Sequence, residues 1–236
     1  MLRAFILARV PVPTTASCRG QTDTMSDFDP RARLQRPLDF VELGPGLGAS
    51  VDRRLIGDVR GRKVLEIGCG SGHVGVGLAR RGARVIATDH DPAQLFAARS
   101  LANREHVAVE FHESGPADLA FIRADQIDLA LSVWSLSLVD DLDRVLRQVH
   151  RVVRAGGHLI VSVPHPAALC ADPADPARTI VAWDGPDPIG NRYVHTAESL
   201  ITACSRTNFA VDLLLERHAG GLTPSSLIVR ARRLGA

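Results

Sequence analysis

The sequence predicts an α/β domain in which a mostly parallel sheet is covered by helices on both faces. Three observations carry this. From Lys63 onward short apolar runs alternate with helical patterns, a rhythm that calls for parallel strands joined by crossover helices. A glycine stretch, Gly68-Cys69-Gly70-Ser71-Gly72, stands where the first strand gives way to a helix. Finally, Ile127–Val133 is a largely apolar run, as expected of a strand buried on both faces in mid-sheet.

Residues 64–67 form the first expected strand and 84–88 the second. Residues 72–81 between them are helical, and Gly82 supplies the left-handed residue that ends the helix. Asp91-Pro92 provides an N-cap and a proline at the first helical position for a helix to about Asn103. A third strand follows at 106–111. After the fourth strand, Leu142, Val145, Leu146, Val149, Val152 and Val153 recur at helical spacing, with Asp140 or Asp141 as cap and Gly156-Gly157 as terminator. Residues 158–163 are a fifth strand. The proline- and aspartate-rich stretch 164–195 reads as a long irregular connection, of the kind that serves as a lid. A helix at 196–207 and strands at 209–216 and 225–232 close the chain.

With 236 residues, 45% of them hydrophobic, the chain has material for one sizeable core, and a single domain over 31–236 is expected. Residues 1–30 are set apart as a leader. Residues 1–24 are basic, hydroxyl-rich and free of acids until Asp23. Their short apolar stretch is unsuited to secretion; an organellar transit peptide and a start at Met25 both stay open. The formal net charge is +2, and the arginines are scattered, which argues against a nucleic-acid groove or an anionic membrane as partner. Cysteines 18, 69, 170 and 204 lack metal-ligand spacing. A reducing, cytoplasmic setting is expected, with no metal. No apolar run reaches bilayer length.

The glycine loop is the chemically informative part. Without side chains, its backbone amides can approach a ligand, and the following helix N-terminus favours negative charge. Asp89, at the expected end of the second strand, can accept hydrogen bonds from both hydroxyls of a ribose. Gly70-Ser71-Gly72-His73-Val74-Gly75 also satisfies the dinucleotide pattern G-x-G-x-x-G, so a nicotinamide oxidoreductase is a serious rival. Against it, Lys63 is the only lysine and Tyr193 the only tyrosine, which excludes a Tyr-x-x-x-Lys dyad. Glu66 would also repel a pyrophosphate, whereas a cofactor bearing ammonium and sulfonium cations would welcome it.

The segments VLEIGCGSG, VIATDHDP and LRQVHRVVRAGGHLIVSVPHP resemble the class I S-adenosylmethionine-dependent methyltransferases, above all those acting on small molecules. The resemblance covers roughly residues 43–232. It implies a Rossmann-like, doubly wound sheet of seven strands in the order 3-2-1-4-5-7-6, the last antiparallel, and S-adenosylmethionine (SAM) as cofactor. It implies further that Gly68, Cys69, Gly70 and Gly72 line the methionine and ribose moieties, that Glu66 positions the loop and the amino group, that Asp89 binds the ribose hydroxyls and that His90 packs on the adenine. Ser132 and Trp134 stand where the family holds the methionine end. In the adenine loop, Gly115 replaces the usual acid and Pro116, which has no N–H, the usual donor. Either Asp118 and the Ala117 amide take over through a shifted loop, which is the expectation, or adenine is held less tightly.

Methyl transfer from a sulfonium needs positioning and water exclusion more than acid–base help, and no general base is evident. The Asn-Pro-Pro-aromatic motif of nucleic-acid amino methylases is absent after the fourth strand. Acceptor-side candidates are Trp134, His165, Trp183, Asp184, Tyr193 and His195. Asp140, Asp141 and Asp143 read as a helix start. The alternative to an enzyme is a SAM-binding module without turnover.

Overall fold

The computed structural model describes residues 38–172, 175–179, 188–218 and 223–235. The expected leader 1–30, Trp183 and Asp184 lie outside the described residues. After a short helix α1 (Ala49–Leu55), the chain alternates β1 (Lys63–Ile67), α2 (His73–Arg80), β2 (Arg84–Asp89), α3 (Pro92–Arg104), β3 (Val109–Glu113) and β4 (Ile127–Val133). There follow a 3-10 turn (Ser135–Leu138), α4 (Leu142–Val152), β5 (Val153–Pro164), α5 (Pro166–Leu169), the small strands β6 (Ala171–Asp172) and β7 (Asp175–Thr179), α6 (Ala197–Arg206), β8 (Phe209–Arg217) and β9 (Ser226–Arg233).

The main sheet runs β3-β2-β1-β4-β5-β9-β8. β9 runs antiparallel to the other six strands. Counting main-sheet strands alone, this is the expected order 3-2-1-4-5-7-6. Successive residues of β1 feed opposite cores: Val64 packs with Val74, Leu78 and Leu95 of α2 and α3, and Leu65 with Val145, Leu146 and Leu200 of α4 and α6. Apolar neighbours on both faces are what a central parallel strand requires.

The chain's local signals mostly operate as expected. Asp91 caps α3 by accepting from the Ala93 N–H at 2.9 Å, and Asp141, not Asp140, caps α4 by accepting from Arg144 N–H at 2.8 Å. Gly82 takes φ +87. Three expectations need correction. The third strand starts at Val109 because residues 105–107 are consumed by the exit turn of α3, with His106 at φ +53 and the Val107 N–H on Ala102 O. Gly156-Gly157 does not end α4: the helix stops at Val152 because Val153 pairs with Ile127. The two glycines sit instead inside a longer β5, where the register shifts before His158 meets Leu129. The connection 164–195 is not wholly irregular, since it contains α5 and the β6–β7 hairpin.

The first described segment, 38–48, runs from α2 to the carboxyl end of β5 and the start of β9. Ser162 Oγ donates to Leu43 O, and a Cβ added at Gly44 would lie 2.1 Å from Ser226 Oγ. Only a glycine fits between that strap and β9.

Candidate functional site

In an open parallel sheet, ligands bind beyond the carboxyl ends of the strands where the order reverses, here between β1 and β4. Gly68, Gly70 and Gly72 all have positive φ, at +71, +52 and +85, a region that side chains disfavour. The loop they form is tied to β2: the N–H groups of Gly68 and Cys69 both donate to Thr88 O at 2.8 Å. The Asp89 carboxylate completes the tie. Its Oδ2 accepts from the Gly70 N–H at 2.8 Å and its Oδ1 from the Asp91 N–H at 3.0 Å. Each oxygen keeps a second lone pair for a ligand hydroxyl.

Glu66, on β1, is 3% exposed, and its carboxylate lies under the first turn of α2. A Cβ on Gly75 would come 2.6 Å from Glu66 Oε2. The third glycine of the apparent dinucleotide pattern therefore makes room for a carboxylate, which the positive end of the helix favours. Burial first, then the charges of Glu66 and Asp89, push the Cys69 thiol far above its ordinary range. The loop is thus a negatively charged cradle, and Cys69 is an inert part of its wall.

On the β4 side, buried Ser132 shares a 2.6 Å hydrogen bond with Ser135 Oγ, which donates to Ile67 O at 2.6 Å. Ser135 fills the space over Gly68: a Cβ there would fall 2.2 Å from Ser135 Cβ. Trp134 is fully buried and takes φ +62. The residues after it are held by the segment 192–195. Arg192 donates to Ser137 Oγ at 2.5 Å and to Trp134 O at 3.3 Å, the Tyr193 N–H to Ser137 O at 2.7 Å, and His195 Nε2 to Leu136 O at 3.1 Å and Val139 O at 2.9 Å. Two carbonyl partners require Nε2 to carry the proton, so Nδ1 of the neutral ring carries the lone pair. Burial lowers the pKa of His195.

Other residues are placed as follows. His90 is exposed, with Nδ1 3.6 Å from Asp89 Oδ1. Beyond β3, the Ser114 N–H donates to Asp89 O and the Asp118 N–H to Gly115 O, while Ser114 Oγ donates to Gly115 O and Asp118 O. This closed turn uses the Asp118 amide internally. Among the described residues, the Ala117 N–H meets no hydrogen-bond acceptor. His165 has both ring nitrogens engaged, Nδ1 accepting from the Ala167 N–H at 3.0 Å and Nε2 donating to Glu216 at 3.2 Å. It caps α5 and anchors it to β8. A groove of about 1240 Å³ near Lys63, Arg84, Glu110 and Asp128 lies at the opposite ends of the strands, away from the topological switch point. No cluster of three or more potential metal ligands occurs among the described residues.

Residues 65–161 match the family model described as a methyltransferase domain. Over those residues the chain carries a methyltransferase domain. Among curated proteins it is similar to the ubiquinone biosynthesis O-methyltransferase of Acinetobacter baylyi, 35% identical over 107 residues, 45% of each chain. The chain thus spans under half the length of the curated relatives it matches. Among solved structures it is similar to a SAM-dependent methyltransferase from Mesorhizobium loti (24% identity, TM-score 0.61, 75% of this chain and 93% of that one). It is also similar to the [4+2]-cyclase SpnF (17% identity, TM-score 0.64, 79% of each chain). Those two likenesses speak to the fold.

Glu66, Gly68, Cys69, Gly70, Gly72, Asp89 and Ser132 all stand at the carboxyl ends of β1, β2 and β4 or in the loop leaving β1. Sequence reasoning missed Ser114, Ser135, Ser137 and Arg192. A serine two residues past the fourth strand, opposite a glycine that must stay bare, carries a faint local signal; Arg192 carries none.

Proposed function

We propose that the protein transfers a methyl group from SAM to a small-molecule acceptor. The observation that carries this reading is the Asp89 carboxylate fixed against the Gly70 amide, facing a loop whose other buried acid is Glu66. Two acceptor-only groups suit ribose hydroxyls, an ammonium and a sulfonium, and Glu66 beneath the loop would repel the pyrophosphate of a nicotinamide dinucleotide. Bound there, SAM supplies an activated methyl group. The chain's own work is to hold the ribose through Asp89, cradle the methionine end between Gly68, Glu66 and Ser132, accept adenine beside His90 and the Ala117 N–H, and exclude water under 164–195.

The acceptor is proposed as a small molecule because the curated relatives act in ubiquinone biosynthesis, and their match covers 45% of this chain. The acceptor half is open to variation on a common fold. Trp134, His165, Trp183, Tyr193 and His195 are proposed to border it: Trp134 and His195 through the turn they share, His165 by fixing the exit of β5. A cytoplasmic setting is proposed from the buried free thiols Cys69, Cys170 and Cys204; no described helix is long and apolar enough to cross a membrane.

Calorimetry with SAM, S-adenosylhomocysteine, NAD and NADP, followed by transfer of labelled methyl to a panel of phenols, carboxylates and amines, tests this. Binding of SAM with turnover on some member is expected. Binding of NAD(P) in place of SAM would overturn the reading, and SAM binding without turnover on any acceptor class would favour a binding module.

A further inference from the structure

The acceptor-side segment and the cofactor cleft meet at the 3-10 turn Ser135–Leu138. A turn of this kind has poor internal hydrogen bonding and leaves carbonyls unfilled. This one begins from Trp134 at φ +62, a costly conformation for a bulky residue that persists only where surroundings enforce it. The enforcement comes from far along the chain. Arg192, Tyr193 and His195 supply donors to the carbonyls of Trp134, Leu136, Ser137 and Val139, and the Arg192 guanidinium lies 5.7 Å from the centre of the Trp134 ring, within cation–π range. On its other side the same turn presents Ser135, hydrogen-bonded to Ile67 O and packed on Gly68.

We propose that Arg192 is a positioning residue for the cofactor: by holding Ser137 and the Trp134 carbonyl it keeps Ser135 against Gly68, and so sets the shape of the glycine loop from the acceptor side. Sites joined through one ordered element are coupled reciprocally. A cofactor that seats the loop should therefore also order residues 188–196, and a change in the cover should be felt at the cofactor. The ligand arm of this inference rests on the proposed function; the mechanical link is a property of the ligand-free chain.

Two measurements on the full chain separate the inference from that reading. In ligand-free protein, amide hydrogen exchange in Arg192→Ala should accelerate about tenfold at Gly68, Cys69 and Gly70, beyond the turn itself, with α3 unchanged. Arg192→Lys, which retains a charged donor, should restore most of the protection. In the ligand arm, S-adenosylhomocysteine should bind Arg192→Ala roughly fivefold more weakly, with KM for SAM raised more than kcat is lowered, and adding Ser135→Ala should cost little more. Acceleration confined to 134–139 and 188–196, with unchanged ligand affinity, would overturn the proposal. If Arg192→Ala exchanges everywhere, Ser137→Ala, which removes one acceptor, decides by the same local test. A wild-type chain that binds no S-adenosylhomocysteine refutes the proposed function while the exchange result still judges the link.

Discussion

The two halves of the cleft are built by different means. On the cofactor side, the decisive contacts join β1 and its loop to β2, and they span about 20 residues, as from Gly68 to Thr88 and from Gly70 to Asp89. Each element there announces itself: apolar strands, bare glycines, an acid at a strand end. On the acceptor side, the contacts that shape the turn after β4 span 55 to 59 residues, and they join backbone carbonyls to donors that obey no spacing rule. A motif can be read where function depends on backbone shape within one βαβ unit. It cannot be read where side chains from a distant segment fill leftover carbonyls.

The comparison is tested most severely at Gly68. A side chain there meets both a positive φ and Ser135, so Gly68→Ala should lose about 3 kcal/mol of stability, from strain and overpacking together, and bind no SAM at micromolar concentration. Denaturant unfolding and calorimetry check both; near-wild-type stability would mean that Ser135 yields easily and the two halves are not in firm contact. Next in size is Asp89→Ala. Its carboxylate holds two backbone amides and is proposed to hold the ribose, so SAM affinity should fall by about 2–3 kcal/mol and stability by about 1–2 kcal/mol. An effect on affinity alone would show that the loop holds its shape without the tie.

The acceptor side is probed by His195. In His195→Ala the Val139 carbonyl loses the imidazole N–H and the Leu136 carbonyl keeps only the Val139 N–H, for an expected cost of about 1–2 kcal/mol. Protonation supplies a second test. The pKa values of His195, His150 and His158 are all lowered in the folded state, chiefly by burial. The unfolded chain therefore binds more protons as pH falls through 6.5, and stability declines on acidification. Between pH 7.5 and 5.5 the melting temperature of His195→Gln, which keeps a donor but no titrating ring, should fall less than that of the wild type. Equal slopes would mean that His195 exchanges protons freely in the folded protein. The smallest effect is expected at His90: exposed and at the rim, its replacement by Ala should change stability by less than about 0.5 kcal/mol and weaken SAM by at most about 1 kcal/mol.

Most of the fold was legible because the apolar periodicities and caps agree with it. The seven strands follow, their order was implied by the resemblance to the methyltransferase family, and Asp91, Asp141 and Gly82 mark the ends they were expected to mark. What misled were signals that act locally but were put to another use. Gly156-Gly157 has the form of a helix stop and serves as a bulge, because Val153 had already found Ile127. His106 turns the chain where a glycine would have been the visible sign. In the site, the three loop glycines and Asp89 stood out from their spacing, and Glu66 from its charge and the family resemblance. The loop after β3 could be found but not its organiser, Ser114, since a lone serine after a strand has no distinguishing neighbours.

The strap at 38–48 has a consequence for how the molecule comes into being. Leu43 is held by Ser162, 119 residues on, and Gly44 lies against Ser226 near the other end of the chain. Such closures are entropically late events. On the ribosome, the βαβ units that carry the glycine loop emerge and can pair first, while the strap, though synthesised before them, has nothing to lie on until β9 has been added. The earliest described residues are therefore among the last to find their place, and a nascent chain stalled short of Ser226 would present a formed glycine loop while residues 38–48 were still unattached.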